Sequence, residues 1–170
     1  MKHLFSPWRS AYIETFKGGK KSRGCLLCAI AKTNHDRKNL VAWRGKHCYV
    51  VLNRFPYNSG HLMIVPYRHT ADIARLSMEE QAECFLALKR CVKALHALSA
   101  PQGFNFGANF GRLAGAGIAS HIHYHLVPRW NGDTNFMPVL ADTKLISEDL
   151  RKLRDTLAKS LRTPKKTRTR

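Results

Sequence analysis

Residues 121–127 read His121-Ile122-His123-Tyr124-His125-Leu126-Val127, so that histidine alternates with apolar or aromatic side chains. In a β-strand alternate side chains share a face, and this spacing sets the three histidines about 6.6 Å apart on one face. Imidazole titrates near neutral pH and can act as a nucleophile, proton donor, phosphate-binding group or metal ligand. Three solvated histidines on an edge strand are the alternative. The apolar opposite face and the glycine-rich stretch at 111–117 favour a functional site.

The segments around this row predict an α+β fold. Residues 49–53 and 61–66 are short β-rich runs separated by Pro, Asn and Gly residues that form turns, so the two runs are expected to pair antiparallel. Residues 104–110 and 121–127 add further strands. We therefore predict a single domain with an antiparallel sheet, a long helix and a C-terminal helix.

Both helices have recognisable sequence signals. Ser77 and Glu80 form a capping box, which predicts a helix of about 20 residues after it. The apolar side chains of that helix at helical spacing are Phe85, Leu88, Val92 and Leu95. Ser147 is the predicted cap of the last helix, whose apolar side comprises Ile146, Leu150, Leu153 and Leu157.

The composition fits one globular domain. The chain has 170 residues, 44% of them hydrophobic and 24% charged, which excludes a largely disordered protein. Its longest apolar run, residues 25–31, is far shorter than the roughly 20 residues of a membrane span. The N-terminus lacks the apolar stretch of a secretory signal. A cytoplasmic protein without membrane association is expected.

The net charge of +18 is concentrated at the two ends of the chain. Residues 1–24 form a basic N-terminal segment, residues 25–160 the predicted domain, and residues 161–170 a basic tail. The tail has too few apolar residues to pack, so it is expected to be disordered. It is either merely solvated or adds weak nonspecific nucleic-acid affinity.

The five cysteines are not expected to form a disulfide framework, because their number is odd and no secretory signal precedes them. Cys48, Cys84 and Cys91 lie in apolar segments and are expected to be buried thiols. Cys25 and Cys28 have C-x-x-C spacing. This spacing suits half of a zinc site or a redox pair. By itself, it does not distinguish a metal site from a pair of cysteines with no function.

The row at 121–127 resembles the signature of the histidine triad family, His-φ-His-φ-His-φ-φ, in which φ is apolar. Residues 4–13, 53–66 and 127–136 resemble the bacterial branch of that family that is similar to diadenosine tetraphosphate phosphorylases. The resemblance covers residues 4–160 and leaves little chain for a cleavable transit peptide.

This resemblance implies nucleotidyl transfer at the α-phosphate of a dinucleoside polyphosphate or another adenine nucleotide. His123 would be the nucleophile that forms a nucleotidyl-imidazole intermediate, and His125 would donate to the phosphate oxygens. His61 would be a supporting histidine near the triad, unless it is a satisfied core histidine. Water as acceptor would make the protein a hydrolase, and inorganic phosphate would make it a phosphorylase. The flanking segments favour the phosphorylase.

The resemblance also suggests which residues contact the nucleotide. Asn53 would contact the ribose or base, unless it only caps the turn after its strand, and Asn109 would reach the phosphates. Backbone amides from Gly115 to Gly117 would cradle the phosphates, unless this loop is a mere connector. At residues 116–120 the chain has Ala-Gly-Ile-Ala-Ser where many family members have Gly-Gln-Ser or Gly-Gln-Thr, so the leaving-group contacts of that motif are missing.

A structural zinc ion is implied as well. Its ligands would be Cys25, Cys28, His69 and His121, which together make a closed tetrahedral set without an open coordination position. His47 is a competing ligand, although its position fits an exposed entry to a strand more simply.

Three arginines are candidates for binding the acceptor phosphate. These are Arg9, Arg112 and Arg129, although Arg112 could be a solvated loop residue and Arg129 could pair with Asp133.

A homodimer is expected from the resemblance to the family. An adenylate-removing enzyme acting on nucleic-acid ends and a noncatalytic nucleotide-binding regulator are the alternatives. The absence of an added domain argues against the first, and the intact triad against the second.

Overall fold

The computed structural model of the chain describes residues 24–133 and 149–162. The five strands in these residues form one antiparallel sheet in the order β1-β2-β3-β5-β4. The predicted α+β architecture is therefore confirmed. In chain order the elements are α1 (Leu26–Ala31), α2 (Asp36–Asn39), β1 (Val41–Arg44), β2 (Cys48–Leu52), β3 (Leu62–Pro66), a 3₁₀ turn (Ile73–Arg75), α3 (Met78–Ser99), β4 (Gly103–Ala108), β5 (Tyr124–Arg129) and α4 (Leu150–Arg162).

Strands β2 and β3 form the predicted antiparallel pair, in regular register along their whole length. Their connection contains Gly60, which has a φ of 75°. A Cβ atom at this position would lie 3.1 Å from Leu95 Cδ2 and 3.1 Å from Pro128 Cγ. Glycine is therefore favoured both by the left-handed backbone and by the close approach of helix α3 and strand β5.

Strand β5 begins at Tyr124, not at His121 as the alternating pattern predicts. Tyr124 already pairs with the last residue of β4, so the residues before it have no ladder partner on that side. The segment 121–123 is held by the chain that follows β3, where the Ile122 amide donates to the Thr70 carbonyl at 2.7 Å. The first two histidines of the row therefore precede the sheet.

Helix α3 starts with the predicted capping box, in which Ser77 and Glu80 each accept the other's backbone amide. Of the predicted apolar series, Leu95 is buried and Leu88 and Val92 are partly buried against the core. Phe85 is the exception, since it is 56% exposed and contacts the exposed ring of Phe106 at 6.0 Å between centroids. The face that packs on the sheet carries mainly small side chains, which allow a close helix approach. These buried residues are Cys84, Ala87, Cys91, Ala94 and Leu95.

The predicted buried thiols are confirmed. Cys48, Cys84 and Cys91 all lie in the core between the sheet and the helices. Burial raises the pKa of Cys91 to about 12, and contact with Cys84 together with burial raises that of Cys48. The Cys48 and Cys91 thiols therefore stay protonated and behave as small apolar groups.

Helix α4 buries Leu153 and Leu157, as predicted. Its cap is the Asp149 carboxylate, which accepts from the backbone amides of residues 151 and 152. Two residues of the prediction lie outside the described part of the chain: Ser147, the predicted cap, and Ile146.

Glu83 fixes the turn between β1 and β2 from helix α3. Its carboxylate accepts from the backbone amides of Lys46 at 2.9 Å, Cys48 at 2.9 Å and His47. Burial of the carboxyl opposes ionisation, but the three amides outweigh it and hold the pKa of Glu83 below its usual value. The turn is thus built around a carboxylate.

Replacing Glu83 by alanine is expected to lower the free energy of unfolding by about 2–4 kcal/mol, because three amides lose their charged acceptor. Urea denaturation measures this difference. Glu79→Ala, on the exposed start of the same helix, is the matched control and should lower the free energy of unfolding much less. Equal effects of the two substitutions would contradict the role of Glu83.

Candidate functional site

His123 is a buried histidine with a defined tautomer. Its Nδ1 donates to the backbone carbonyl of His121 at 2.8 Å, so Nε2 carries the lone pair. Burial lowers the pKa of His123, and this outweighs the opposite effect of that carbonyl. A neutral imidazole with its Nε2 lone pair available is the form that can act as a nucleophile.

His61 and His125 form a directional pair beside it. The Tyr57 amide donates to His61 Nδ1 at 3.1 Å, which leaves the proton of a neutral His61 on Nε2. His61 Nε2 then donates to His125 Nδ1 at 2.9 Å, so the remaining nitrogen of His125, Nε2, carries a proton. The rings of His123 and His125 lie 4.9 Å apart at their centroids. A ring that could act as a nucleophile and a ring that could donate a proton are thus adjacent.

Asn53 makes contacts both within the turn after β2 and with the His61–His125 pair. Its Oδ1 accepts from the Phe55 amide at 2.9 Å, and its Nδ2 lies 3.4 Å from His61 Nδ1. The turn-capping interpretation of Asn53 is therefore confirmed. A contact with ribose or base stays a prediction.

A cavity of about 550 Å³ opens over strands β4 and β5. His125 lines this cavity, whose volume is large enough for a nucleotide-sized ligand. The lining residues are Tyr57, Asn58, Asn105, Phe106, Gly107, Ala108, Asn109, Ala114, Gly115, His125, Val127 and Arg129.

The glycine-rich loop forms one wall of this cavity. Asn109 and Gly115 line it, and the Asn109 amide lies 3.5 Å from the Gly115 carbonyl. The Gly115 backbone amide donates to Arg112 within the loop, so it is not aimed at a phosphate in this conformation. Gly117 belongs to the loop but is not among the lining residues. The predicted phosphate cradle therefore stays a prediction.

The three candidate arginines are in different situations. Arg9 lies outside the described residues, and Arg112 is exposed in the loop. Arg129 lines the cavity and makes two hydrogen bonds to Asp133, from Nε at 2.6 Å and from Nη2 at 3.0 Å. The pairing of Arg129 with Asp133, given above as an alternative, is therefore confirmed.

The sequence analysis did not identify Asn58, which hydrogen-bonds the carboxylate of the Arg129–Asp133 pair. Asn58 is buried, and its Nδ2 donates to the Pro128 carbonyl at 3.0 Å and to Asp133 Oδ2 at 2.8 Å. Asn58 lies in the turn between β2 and β3, where asparagine is common for local reasons. Nothing in its local sequence indicates a partner 75 positions away.

The residues Cys25, Cys28, His69 and His121 converge on a second site, with all four ligand atoms within 4.8 Å of one another. The Nδ1 atoms of His69 and His121 are 3.3 Å apart, and His121 Nδ1 is 3.4 Å from each sulfur. A tetrahedral zinc ion imposes about 3.3 Å between two nitrogens and about 3.6 Å between nitrogen and sulfur. The four residues therefore fit such an ion. His47 is not part of the cluster.

The protonation of this cluster also suits a cation. His121 Nε2 donates to the Pro66 carbonyl at 2.9 Å, which directs the Nδ1 lone pair to the cluster. Burial lowers the pKa of His121 and keeps it neutral. Burial and the neighbouring Cys25 raise the pKa of Cys28, so a bound cation would be needed to stabilise the Cys28 thiolate.

An antiparallel sheet with a buried neutral histidine, a hydrogen-bonded pair of histidines and a Cys/His cluster defines an α+β protein whose candidate site is built from histidines. The HIT domain model matches residues 35–132. The chain belongs to the histidine triad (HIT) family.

Relatives within and near this family span most of the chain. The AP-4-A phosphorylase of Mycobacterium tuberculosis is 44% identical over 162 residues, which cover 93% of this chain and 83% of the relative. Adenosine 5'-monophosphoramidase hnt1 of Schizosaccharomyces pombe is 28% identical over 63% of this chain and 75% of that protein. The crystal structure of a zinc-bound histidine triad family protein from Mycobacterium smegmatis, at 25% identity, has a TM-score of 0.63 and covers 81% of this chain and 93% of its own.

Within residues 24–133 and 149–162, no helix combines the length and apolar character needed to cross a bilayer.

Proposed function

We propose that this chain is a nucleotidyl-transferring enzyme that cleaves dinucleoside polyphosphates such as diadenosine tetraphosphate at an α-phosphate. The observation that carries the proposal is the buried, neutral His123 with its Nδ1 proton fixed on the His121 carbonyl. The 44% identity with an AP-4-A phosphorylase supports the substrate class. The protein is an enzyme of the nucleotidyltransferase type.

Two displacements at phosphorus account for the reaction. In the first, His123 Nε2 attacks the α-phosphorus, a phosphorus–nitrogen bond forms, and the bond to the bridging oxygen of the leaving polyphosphate breaks. In the second, an acceptor oxygen attacks the same phosphorus and His123 leaves as neutral imidazole. Imidazole is both a good nucleophile and a good leaving group, which makes the divided pathway favourable.

His125 donates from Nε2 to the phosphate oxygens, where negative charge grows in the transition state. Its proton is placed there by His61, because the His61 Nε2 proton occupies the other nitrogen of His125. Asn109 and the loop at Gly115 bind the same phosphates from the opposite wall of the cavity. Asn53 contacts the nucleoside in addition to capping the turn through the Phe55 amide.

The Cys25, Cys28, His69 and His121 cluster holds a zinc ion in this proposal. Its closed ligand set gives the ion a structural function, with no coordination position left for substrate. The likeness to a zinc-bound family member supports the choice of metal. The ion ties helix α1 to the segment that precedes β5.

Phosphorolysis is the proposed second step, and the products made with labelled inorganic phosphate test it. With diadenosine tetraphosphate and labelled phosphate, we expect ATP and labelled ADP, and no turnover when phosphate is omitted. AMP plus ATP, formed at the same rate with and without phosphate, would identify a hydrolase instead. The absence of any cleavage would contradict the proposed function itself.

The assembly and location belong to the same proposal. The proposed location is the cytoplasm, and the proposed assembly is a homodimer. The homodimer is supported by β4, an edge strand of the sheet, and by the exposed rings of Phe106 and Phe85 next to it. Light scattering that gave the mass of one chain would refute the dimer. The basic tail after residue 162 lies outside the described residues, and its weak nucleic-acid affinity stays a prediction.

A further inference from the structure

The cavity over β4 and β5 is a trough with histidine at one end and arginine at the other. His125, Val127 and Arg129 alternate along β5 and line the cavity from the same face. Four residues of strand separate the Cα atoms of His125 and Arg129 by about 13 Å. Asn105 lies on the neighbouring strand β4, directly opposite Val127. The trough therefore has two polar ends with a short, mostly neutral floor between them.

Arg129 is presented to this trough by a buried carboxylate. The side chain of Asp133 is only 7% exposed, whereas that of Arg129 is 48% exposed. Asp133 is itself held by the Asn58 amide at 2.8 Å and by the Trp130 amide at 3.2 Å. The carboxylate thus stands behind the guanidinium and fixes its plane, because two parallel hydrogen bonds define the geometry.

The remaining donors of Arg129 are on its terminal nitrogens. Nη1 also donates to Asn105 Oδ1 at 3.0 Å. In the part of the chain that the structure describes, these contacts use three of the five N–H donors of a guanidinium and leave one on each terminal nitrogen. Two donors on a rigid plane match two oxygens of one phosphate group.

We infer that Arg129, positioned by Asp133 and Asn58, binds the distal phosphates of the departing nucleotide. The inference rests on the proposed function and adds a subsite to it. In a substrate whose α-phosphate lies at the histidines, the outgoing polyphosphate chain runs along the trough toward Arg129. A single phosphate group contacts one end only, and a chain of linked phosphates reaches both.

This placement argues against Arg129 as the binding group for the acceptor phosphate. The acceptor oxygen must reach the same α-phosphorus that His123 attacks. Arg129 lies too far along β5 from His125 to hold a small anion at that atom. The arginine is better placed to select a long substrate than to deliver a short acceptor.

Calorimetric titration of the full chain with inorganic tripolyphosphate tests the subsite without any turnover. We expect the Kd for tripolyphosphate to rise at least fivefold in Arg129→Gln, while the Kd for AMP changes less than twofold. Arg129→Lys keeps the charge and loses the planar pair of donors. It should therefore also raise the Kd for tripolyphosphate, with an unchanged melting temperature. Arg75→Gln, which removes an exposed arginine from the 3₁₀ turn, is the matched control and should bind tripolyphosphate within twofold of the unmodified chain.

Three binding results would overturn the inference: no tripolyphosphate binding by the unmodified chain, a rise below fivefold in Arg129→Gln, or the same rise in Arg75→Gln. A kinetic comparison adds an independent readout. Arg129→Gln should lower kcat/KM for diadenosine tetraphosphate at least tenfold, but that for adenosine 5'-phosphoramidate, with its small leaving group, less than threefold. Equal losses on both substrates would also overturn it. If the unmodified chain cleaves neither substrate, the proposed function fails, and the binding titration alone decides the subsite.

Discussion

Replacing His123 by alanine is expected to reduce turnover of diadenosine tetraphosphate by at least about 10³-fold, because the covalent pathway loses its nucleophile. The substitution removes a ring that is buried and bonded to the backbone of its own segment, so folding must be measured in parallel. A melting temperature close to that of the unmodified chain, together with the loss of activity, would assign the effect to chemistry.

His35→Ala is the matched control for this substitution. His35 precedes helix α2, is exposed, and makes no side-chain capping hydrogen bond. Its removal should leave activity within twofold. Turnover of His123→Ala within tenfold of the unmodified chain would show that the nucleophile is assigned wrongly. A nucleotidyl adduct trapped on His125 would lead to the same conclusion.

Loss of the metal is expected to have the second large effect, on stability. The purified chain should contain about one zinc ion, and Cys28→Ser should abolish it. Binding free energy at a structural site is largely folding free energy. We therefore expect Cys28→Ser to cost about 3 kcal/mol or more, which lowers the Tm by roughly 10 °C for a domain of this size. Elemental analysis and thermal unfolding measure the two quantities.

His47→Ala is the matched control for the metal site. It removes the competing imidazole that lies outside the cluster, so zinc content and Tm should be unchanged. His69→Ala should behave like Cys28→Ser. A zinc-free chain with the same Tm and activity would refute the site, and zinc loss in His47→Ala with retention in His69→Ala would show that the wrong imidazole was chosen.

Much of the fold could be predicted from sequence because local signals agree with it. The capping box at Ser77, the turn residues between β2 and β3, and the buried Ile122, Tyr124 and Leu126 all match the structure. The start of β5 could not be predicted, because strand limits depend on where neighbouring strands stop. The exposure of Phe85 in α3 could not be predicted for a similar reason, since close packing on the sheet involves the small side chains of that helix instead of this ring.

The site was predictable as a row of histidines but not as three separate environments. Period-two spacing places His121, His123 and His125 on one face, yet it cannot say that His121 turns toward two cysteines while His125 bonds His61. Those contacts come from chain segments that are distant in sequence. For the same reason, the sequence did not indicate the role of the buried Asn58, because its partner Asp133 is brought near it only by folding.

His121 is shared between the row of histidines and the Cys/His cluster, and this has an evolutionary consequence. If the cluster holds the proposed zinc ion, a substitution at His121 would be eliminated by selection through misfolding whether or not the chain still performed its proposed reaction. A descendant could then lose the proposed nucleophile at His123 and still keep the first histidine of the row. In comparisons among descendants of this chain, retention of position 121 would report on inheritance of the proposed metal-bound scaffold, and only position 123 would report on inheritance of the proposed chemistry.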